Sequence, residues 1–142
     1  MTIKIHTKNF RAYLRSFKRR MDRAIPKALN KSGEKTVQTI VERSASGRGL
    51  QGTFARYSNQ YRDYRSKAGR GSTPDLNFSG RMLSNLGVQR KSRNAIKVGF
   101  SRQEEERKAR YNQKTRPFIG LTNDEVRHVT RAFKTQFERD IK

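Results

Sequence analysis

Between residues 54 and 65, aromatic and guanidinium side chains interleave: Phe54, Tyr57, Tyr61 and Tyr64 against Arg56, Arg62 and Arg65. Aromatic faces stack on bases and guanidinium groups pair with phosphates, so such a stretch can bind single-stranded nucleic acid. The spacing carries a second reading. Tyr57, Tyr61 and Tyr64 follow one another at four and three residues, which predicts a short helix over 58–67 with its tyrosines packed on the body of the protein. Together the seven residues are the candidate contact surface for an assembly partner.

Groups suited to catalysis are sparse. The chain has no Walker loop, no G-x-S-x-G and no H-E-x-x-H. Its densest acidic run is Glu104, Glu105 and Glu106. Consecutive helical residues diverge by about 100°, so these three cannot converge on one ion. Asp124 and Glu125 are accounted for by a helix start, and His6 and His128 lack a base–orienter partner nearby in sequence. There is no cysteine, hence no disulfide and no thiolate ligand or nucleophile. The reading is a non-enzyme with no cofactor and no metal.

Charge dominates the composition. Lys and Arg number 34 against 12 Asp and Glu, a formal +22. Such a chain repels itself and favours anionic surroundings: nucleic acid, acidic protein faces or an anionic membrane. No apolar run approaches the roughly 18 residues of a membrane span, and no signal-peptide core follows Met1, so the expectation is cytoplasmic synthesis and no membrane partner. Leu, Ile, Val and Phe total 28 of 142 residues, which leaves one domain (1–142) with a thin core and basic segments that order against partners.

The elements that must hold these residues can be taken in order. Alternation at Ile3 and Ile5 predicts a short strand, and Thr7 is placed to cap a helix. Phe10, Leu14, Phe17 and Met21, at spacings of four, three and four, form a stripe expected to pack in the core. Pro26 should kink or restart that helix, which resumes through Leu29, Val37, Ile40 and Val41, with Gly33 weakening it by about 1 kcal/mol. Residues 1–43 are thus a strand and helices, and 44–75 a basic, tyrosine-rich arm whose order should fall between 44 and 73.

Residues 76–121 hold the sheet. Asp75 opens a turn or short helix carrying Leu76, Gly80, Met82 and Leu83. Segments 86–91 and 95–100 then form an antiparallel pair, with Ile96, Val98 and Phe100 on one face. Acids leading into bases over 103–113 suit a helix dipole. Thr122 with Glu125 three residues on is a capping-box signature for a final helix (122–142) carrying Val126, Val129, Phe133 and Phe137. The class expected is α+β: N-terminal helices and a C-terminal helix on a small antiparallel sheet, with a long basic arm.

Three segments resemble one family, the bacteriophage tail-completion or neck proteins, also described as virion-morphogenesis or minor tail components. They are 54–61 (FARYSNQY), 74–86 (PDLNFSGRMLSNL) and 116–122 (RPFIGLT). Where many relatives carry an aromatic-His-x-x-Gly feature, this chain has Tyr111-Asn112-Gln113-Lys114. The resemblance implies an α+β virion subunit that assembles as a homo-oligomeric ring at the tail or neck. Its neighbours would be connector, neck or tail-tube proteins, with acidic faces to match +22 and possible contact with DNA. The structural motif would comprise Asp75, Leu76, Gly80, Met82, Leu83, Arg116, Pro117, Phe118 and Gly120. The alternative is a basic nucleic-acid-binding protein without sequence specificity, since no zinc finger or helix-turn-helix is visible.

Overall fold

The computed structural model describes residues 7–142, apart from the side chains of Thr7 and Asn9. The expected strand before Thr7, and His6, lie outside the described residues.

A single long helix, α1 (Thr7–Ala45), is the spine. It passes through Pro26 and Gly33 without a break, so the helix does not restart at Pro26. Proline removes one helical N–H bond. Here other elements pack along the helix and support it. Gly33 has its own reason: a Cβ there would lie 2.6 Å from Ile96 Cδ1 and 2.9 Å from Val88 Cγ2. The glycine is where a hairpin seats on the helix.

That hairpin is β3 (Leu86–Ser92) and β4 (Ala95–Phe100), paired antiparallel from Leu86↔Phe100 to Arg90↔Ile96, with an irregularity before Ser92↔Ala95. It is the sheet the sequence pattern placed, with Arg93 and Asn94 at its turn. The final helix, α5 (Asn123–Ile141), opens on the expected capping box: Glu125 N donates to Thr122 Oγ1 (3.3 Å) and Thr122 N donates to Glu125 Oε2 (2.8 Å). It runs antiparallel along α1. Arg43 pairs with Glu125 at one end, and Arg20 Nη1 donates to the Ile141 carbonyl (3.1 Å) at the other.

Before and after the hairpin the chain closes the core through short pieces. Strands β1 (Arg48–Gly49) and β2 (Gly52–Thr53) make a small second hairpin, followed by α2 (Asn59–Lys67), the single turn α3 (Arg81–Ser84), and α4 (Gln103–Thr115). Ile40, Phe54, Leu76, Met82, Leu83, Leu86, Ala109 and Phe118 form the buried cluster, so α1, α3, β3, α4 and three connecting loops each contribute one or two side chains. The protein is α+β, with five helices and two two-stranded antiparallel sheets among the described residues.

Two expectations change. Residues 44–73 do not lose order as a block: Leu50 N donates to the Pro117 carbonyl and Phe54 N to Gly47, both at 2.8 Å, and Phe54 is buried. Backbone bonds across a glycine-rich turn replace the side-chain packing that the composition lacks. Conversely, Phe10, Leu14 and Phe17, expected in the core, are exposed. Among the described residues no helix is long and apolar enough to cross a membrane.

Gly33→Ala should destabilise the fold by about 1–3 kcal/mol despite better helix propensity, because the added methyl overlaps Ile96 and Val88. Ile96→Val removes the nearest atom and should recover part of that loss in a double-mutant cycle of urea unfolding. A neutral Gly33→Ala would refute the close approach.

Candidate functional site

Tyr57 sits at the meeting point of the three segments singled out in the sequence. Its phenol oxygen accepts a hydrogen bond from Leu76 N at 3.2 Å. Two guanidinium groups lie over its ring, Arg116 at 4.6 Å and Arg65 at 5.0 Å from the centroid. Arg116 is tied down as it stacks: Nε donates to the Ala55 carbonyl (2.8 Å) and Nη2 to that of Arg56 (2.9 Å). A planar guanidinium can stack and donate in its plane at once, which a lysine cannot.

Arg65 is almost wholly buried. It is held by the Gly71 carbonyl (2.8 Å), the Asn77 carbonyl (3.4 Å) and the Asp75 carboxylate (3.1 Å). Asp75 Oδ1 also accepts from Asn77 N (2.9 Å), closing a tight turn around Leu76. Leu76 adopts φ 55°, uncommon for a bulky residue, and stays there because its side chain is buried and its N–H is bonded to Tyr57. Gly80, at φ 78°, then starts α3 and delivers Met82 and Leu83 to the core.

The Arg116 segment is fixed from three sides. Arg43 Nη2 donates to the carbonyls of Phe118 (2.6 Å) and Gly120 (3.1 Å) while its other arm meets Glu125. Gln113 Oε1 accepts from the backbone of Phe118 and of Ile119, each at 2.9 Å. Pro117 supplies the carbonyl that anchors Leu50, Phe118 is fully buried, and Gly120 has φ 137°. Every residue of the expected structural motif therefore serves this packed junction or its immediate flank.

Beside the junction, between α2 and α4, opens a groove of about 630 Å³. Tyr57, Tyr61, Phe78 and Tyr111 give it aromatic walls, the exposed Arg56 and Lys108 and the half-buried Arg116 add positive charge, and Leu76, Met82 and Glu105 are its buried parts. Tyr57 meets Tyr61 edge-on at 4.9 Å, and Phe78 stacks with exposed Tyr64 at 5.3 Å. Glu105 accepts from Lys108 Nζ at 3.1 Å through Oε1, while its Oε2 has no hydrogen-bond partner among the described residues. The hydrogen bond from Lys108 holds the Glu104 carboxyl below its usual pKa, and the bonds that Lys108 donates to Glu104 and Glu105 hold its ammonium above the usual value.

The seven residues proposed for partner contact thus divide. Phe54, Tyr57 and Arg65 are interior and hold the segment on the body, because each satisfies its polar or apolar surface within the chain. That corrects their placement on an assembly surface. Tyr61 and Arg62 are half-buried, and Arg56 and Tyr64 are exposed. The helix expected over 58–67 is α2, with Ser58 Oγ accepting from Tyr61 N at 3.3 Å as its cap.

Sequence reasoning missed the roles of Arg43, Gln113, Glu105 and Tyr111: the partners of Arg43 lie far along the chain, in Phe118, Gly120 and Glu125, while Gln113 and Glu105 bond within a few residues of themselves in a way that periodicity does not show. It also passed over Gly47, Gly49 and Gly52, spaced as G-x-G-x-x-G. That motif signals a dinucleotide site only between a strand and a helix. Here it follows a helix and turns through β1 and β2, where a Cβ on Gly49 would press on the Pro117 carbonyl and lie 2.6 Å from Phe54 Cε1. In comparisons with known proteins, no family model, no curated protein and no solved structure matches this chain.

Burial raises the Tyr57 phenol above its usual pKa, against the opposing pull of the Leu76 N–H and Arg65. The unfolded chain therefore ionises at this position first, and the contribution, complete below about pH 10, is lost as pH rises beyond it. Tyr57→Phe should lose less stability than the wild type between pH 9 and 11 in urea titrations. Equal losses would count against a buried neutral phenol. Asp75→Asn, which leaves Arg65 buried without its counter-ion, should cost about 2 kcal/mol at neutral pH, read from the shift of the urea midpoint.

Proposed function

We propose that this chain is a structural subunit of a phage virion that completes the tail or joins head to tail through ring assembly. The observation that carries the reading is the convergence of the three family-like segments. Arg116 reaches Ala55, Arg56 and Tyr57; Tyr57 reaches Leu76; Arg65 reaches Asp75. Residues that resemble a family motif in three separate places build one junction, and that junction shapes one wall of the groove.

The groove and the net charge favour a neighbour with acidic character. Aromatic walls with Arg56, Lys108 and Arg116 around them suit an acidic segment with an aromatic or apolar anchor, such as a connector, neck or tail-tube face would supply. Charge complementarity of this kind speeds encounter and fixes orientation. Self-assembly into a ring would use other surfaces, with acidic neighbours moderating repulsion between +22 subunits. On this reading the protein is made in the host cytoplasm and resides in the virion.

The second reading, nucleic-acid binding without sequence specificity, is favoured by the same charge and by the exposed rings of Tyr64 and Tyr111. It requires affinity that falls with salt by about 0.9 log units per phosphate contact for each log unit of salt on duplex DNA.

Purified particles should contain the protein at fixed stoichiometry. Tyr64→Ala with Arg56→Glu should reduce its incorporation while changing isolated-chain stability by less than about 1 kcal/mol, since both side chains are exposed. Normal tailed particles assembled without the protein would overturn the proposal.

A further inference from the structure

Six residues of α1 repeat at intervals of four, three, four, three and four: Phe10, Leu14, Phe17, Met21, Ala24 and Ala28. That is the seam of a helix–helix contact. Exposure falls steadily along it, from 59% at Phe10 through 46% at Leu14 and 37% at Phe17 to zero at Ala24 and Ala28. The buried end lies in the stretch between Arg20 and Arg43 along which α5 runs. Arg20 meets α5 at Ile141, and on the N-terminal side of that contact no other described element covers Phe10, Leu14 and Phe17, which are exposed over about 10 Å of helix. Tyr13 widens the bare part, stacking with Phe17 at 6.2 Å.

We infer that the N-terminal half of α1 docks an acidic helix of a partner protein along the exposed part of this seam. Two observations select that occupant. The first is charge. Residues 8–23 carry Lys8, Arg11, Arg15, Lys18, Arg19, Arg20 and Arg23 against Asp22 alone. Arg11 and Lys18 fall beside the stripe, where flanking charges choose the partner of a paired helix. A second copy of this stripe would bring cations against cations, and the groove beside Tyr57 is edged with cations too, so neither apolar surface of the chain suits the other. The second is shape. A helix about 10 Å across already packs along the buried part of this seam, and the same four-three spacing continues into the exposed part, where it fits a second rod. The inference stands apart from the virion reading, because it specifies a surface and a chemistry and not where the partner resides.

The test uses the full 142-residue chain and a labelled synthetic heptad peptide with leucine at its core positions and glutamate at the flanking ones. Anisotropy should show binding that weakens with salt, at least about tenfold tighter than for a lysine-flanked counterpart. The triple substitution Phe10→Ala, Leu14→Ala, Phe17→Ala should weaken it at least about tenfold. Circular dichroism and the thermal midpoint of that variant should match the wild type, because the three side chains are exposed. Absence of binding, equal binding of the two peptides, or an unchanged triple variant would overturn the inference. So would a wild-type dimer in sedimentation that the triple variant abolishes. Tighter, stripe-dependent binding to vesicles of phosphatidylglycerol and phosphatidylcholine than to the acidic peptide would overturn it in favour of a lipid surface. Particle composition is read separately, so either proposal can fail alone.

Discussion

The stack of guanidinium groups on the Tyr57 ring is the interaction on which the middle of this protein depends. Residues 46–80 carry too little apolar surface to fold on hydrophobic burial alone. They are held instead by a ring that presents a face to Arg65 and Arg116 and an oxygen to the Leu76 backbone, while each arginine spends its N–H groups on loop carbonyls. A buried guanidinium is costly unless its donors are satisfied. Here they are met by backbone oxygens of the segments that need fixing. The cost of burying Arg65 and the cost of ordering a polar loop are thus met by the same set of bonds.

Arg43 repeats the device on the other side of the core. It gathers the carbonyls of Phe118 and Gly120 and the side chain of Glu125, which also caps α5. One carboxylate therefore couples the start of the last helix to the end of the first. In a chain with only 12 acids, such placement matters. Glu125, Asp75 and Glu105 are the acids spent inside, and most of the remaining surface is left strongly positive. That imbalance is tolerable for a protein whose neighbours are anionic. It also explains why the groove and the α1 stripe, two apolar surfaces left open among the described residues, are bordered by cations.

Much of the architecture was legible from the chain alone. The β3–β4 hairpin followed from alternation, the α5 cap from Thr122 and Glu125, and α2 from the tyrosine spacing, because each depends on contacts within a few residues. Local rules failed where distant packing reversed them. Pro26 and Gly33 argue for a broken helix, yet α1 is continuous because α5 and the hairpin lie along it and Gly33 makes room for Ile96 and Val88. Phe10, Leu14 and Phe17 have core spacing, yet among the described residues no other element buries them. The candidate site was half legible. Its residue types were named, but periodicity cannot say whether a tyrosine packs inward or outward, and it gave no hint of Arg43, Gln113 or Glu105.

The sequence by itself determined the class, the charge, the helix starts, the hairpin and the three segments that matter together. These are matters of composition and short-range spacing. Only the tertiary structure decided that the three segments meet at Tyr57, that Phe54, Tyr57 and Arg65 are fastenings and not contact surface, and that one end of α1 is left bare. Such outcomes turn on which groups separated by twenty to eighty residues satisfy one another's hydrogen bonds and fill one another's space. No local pattern encodes that.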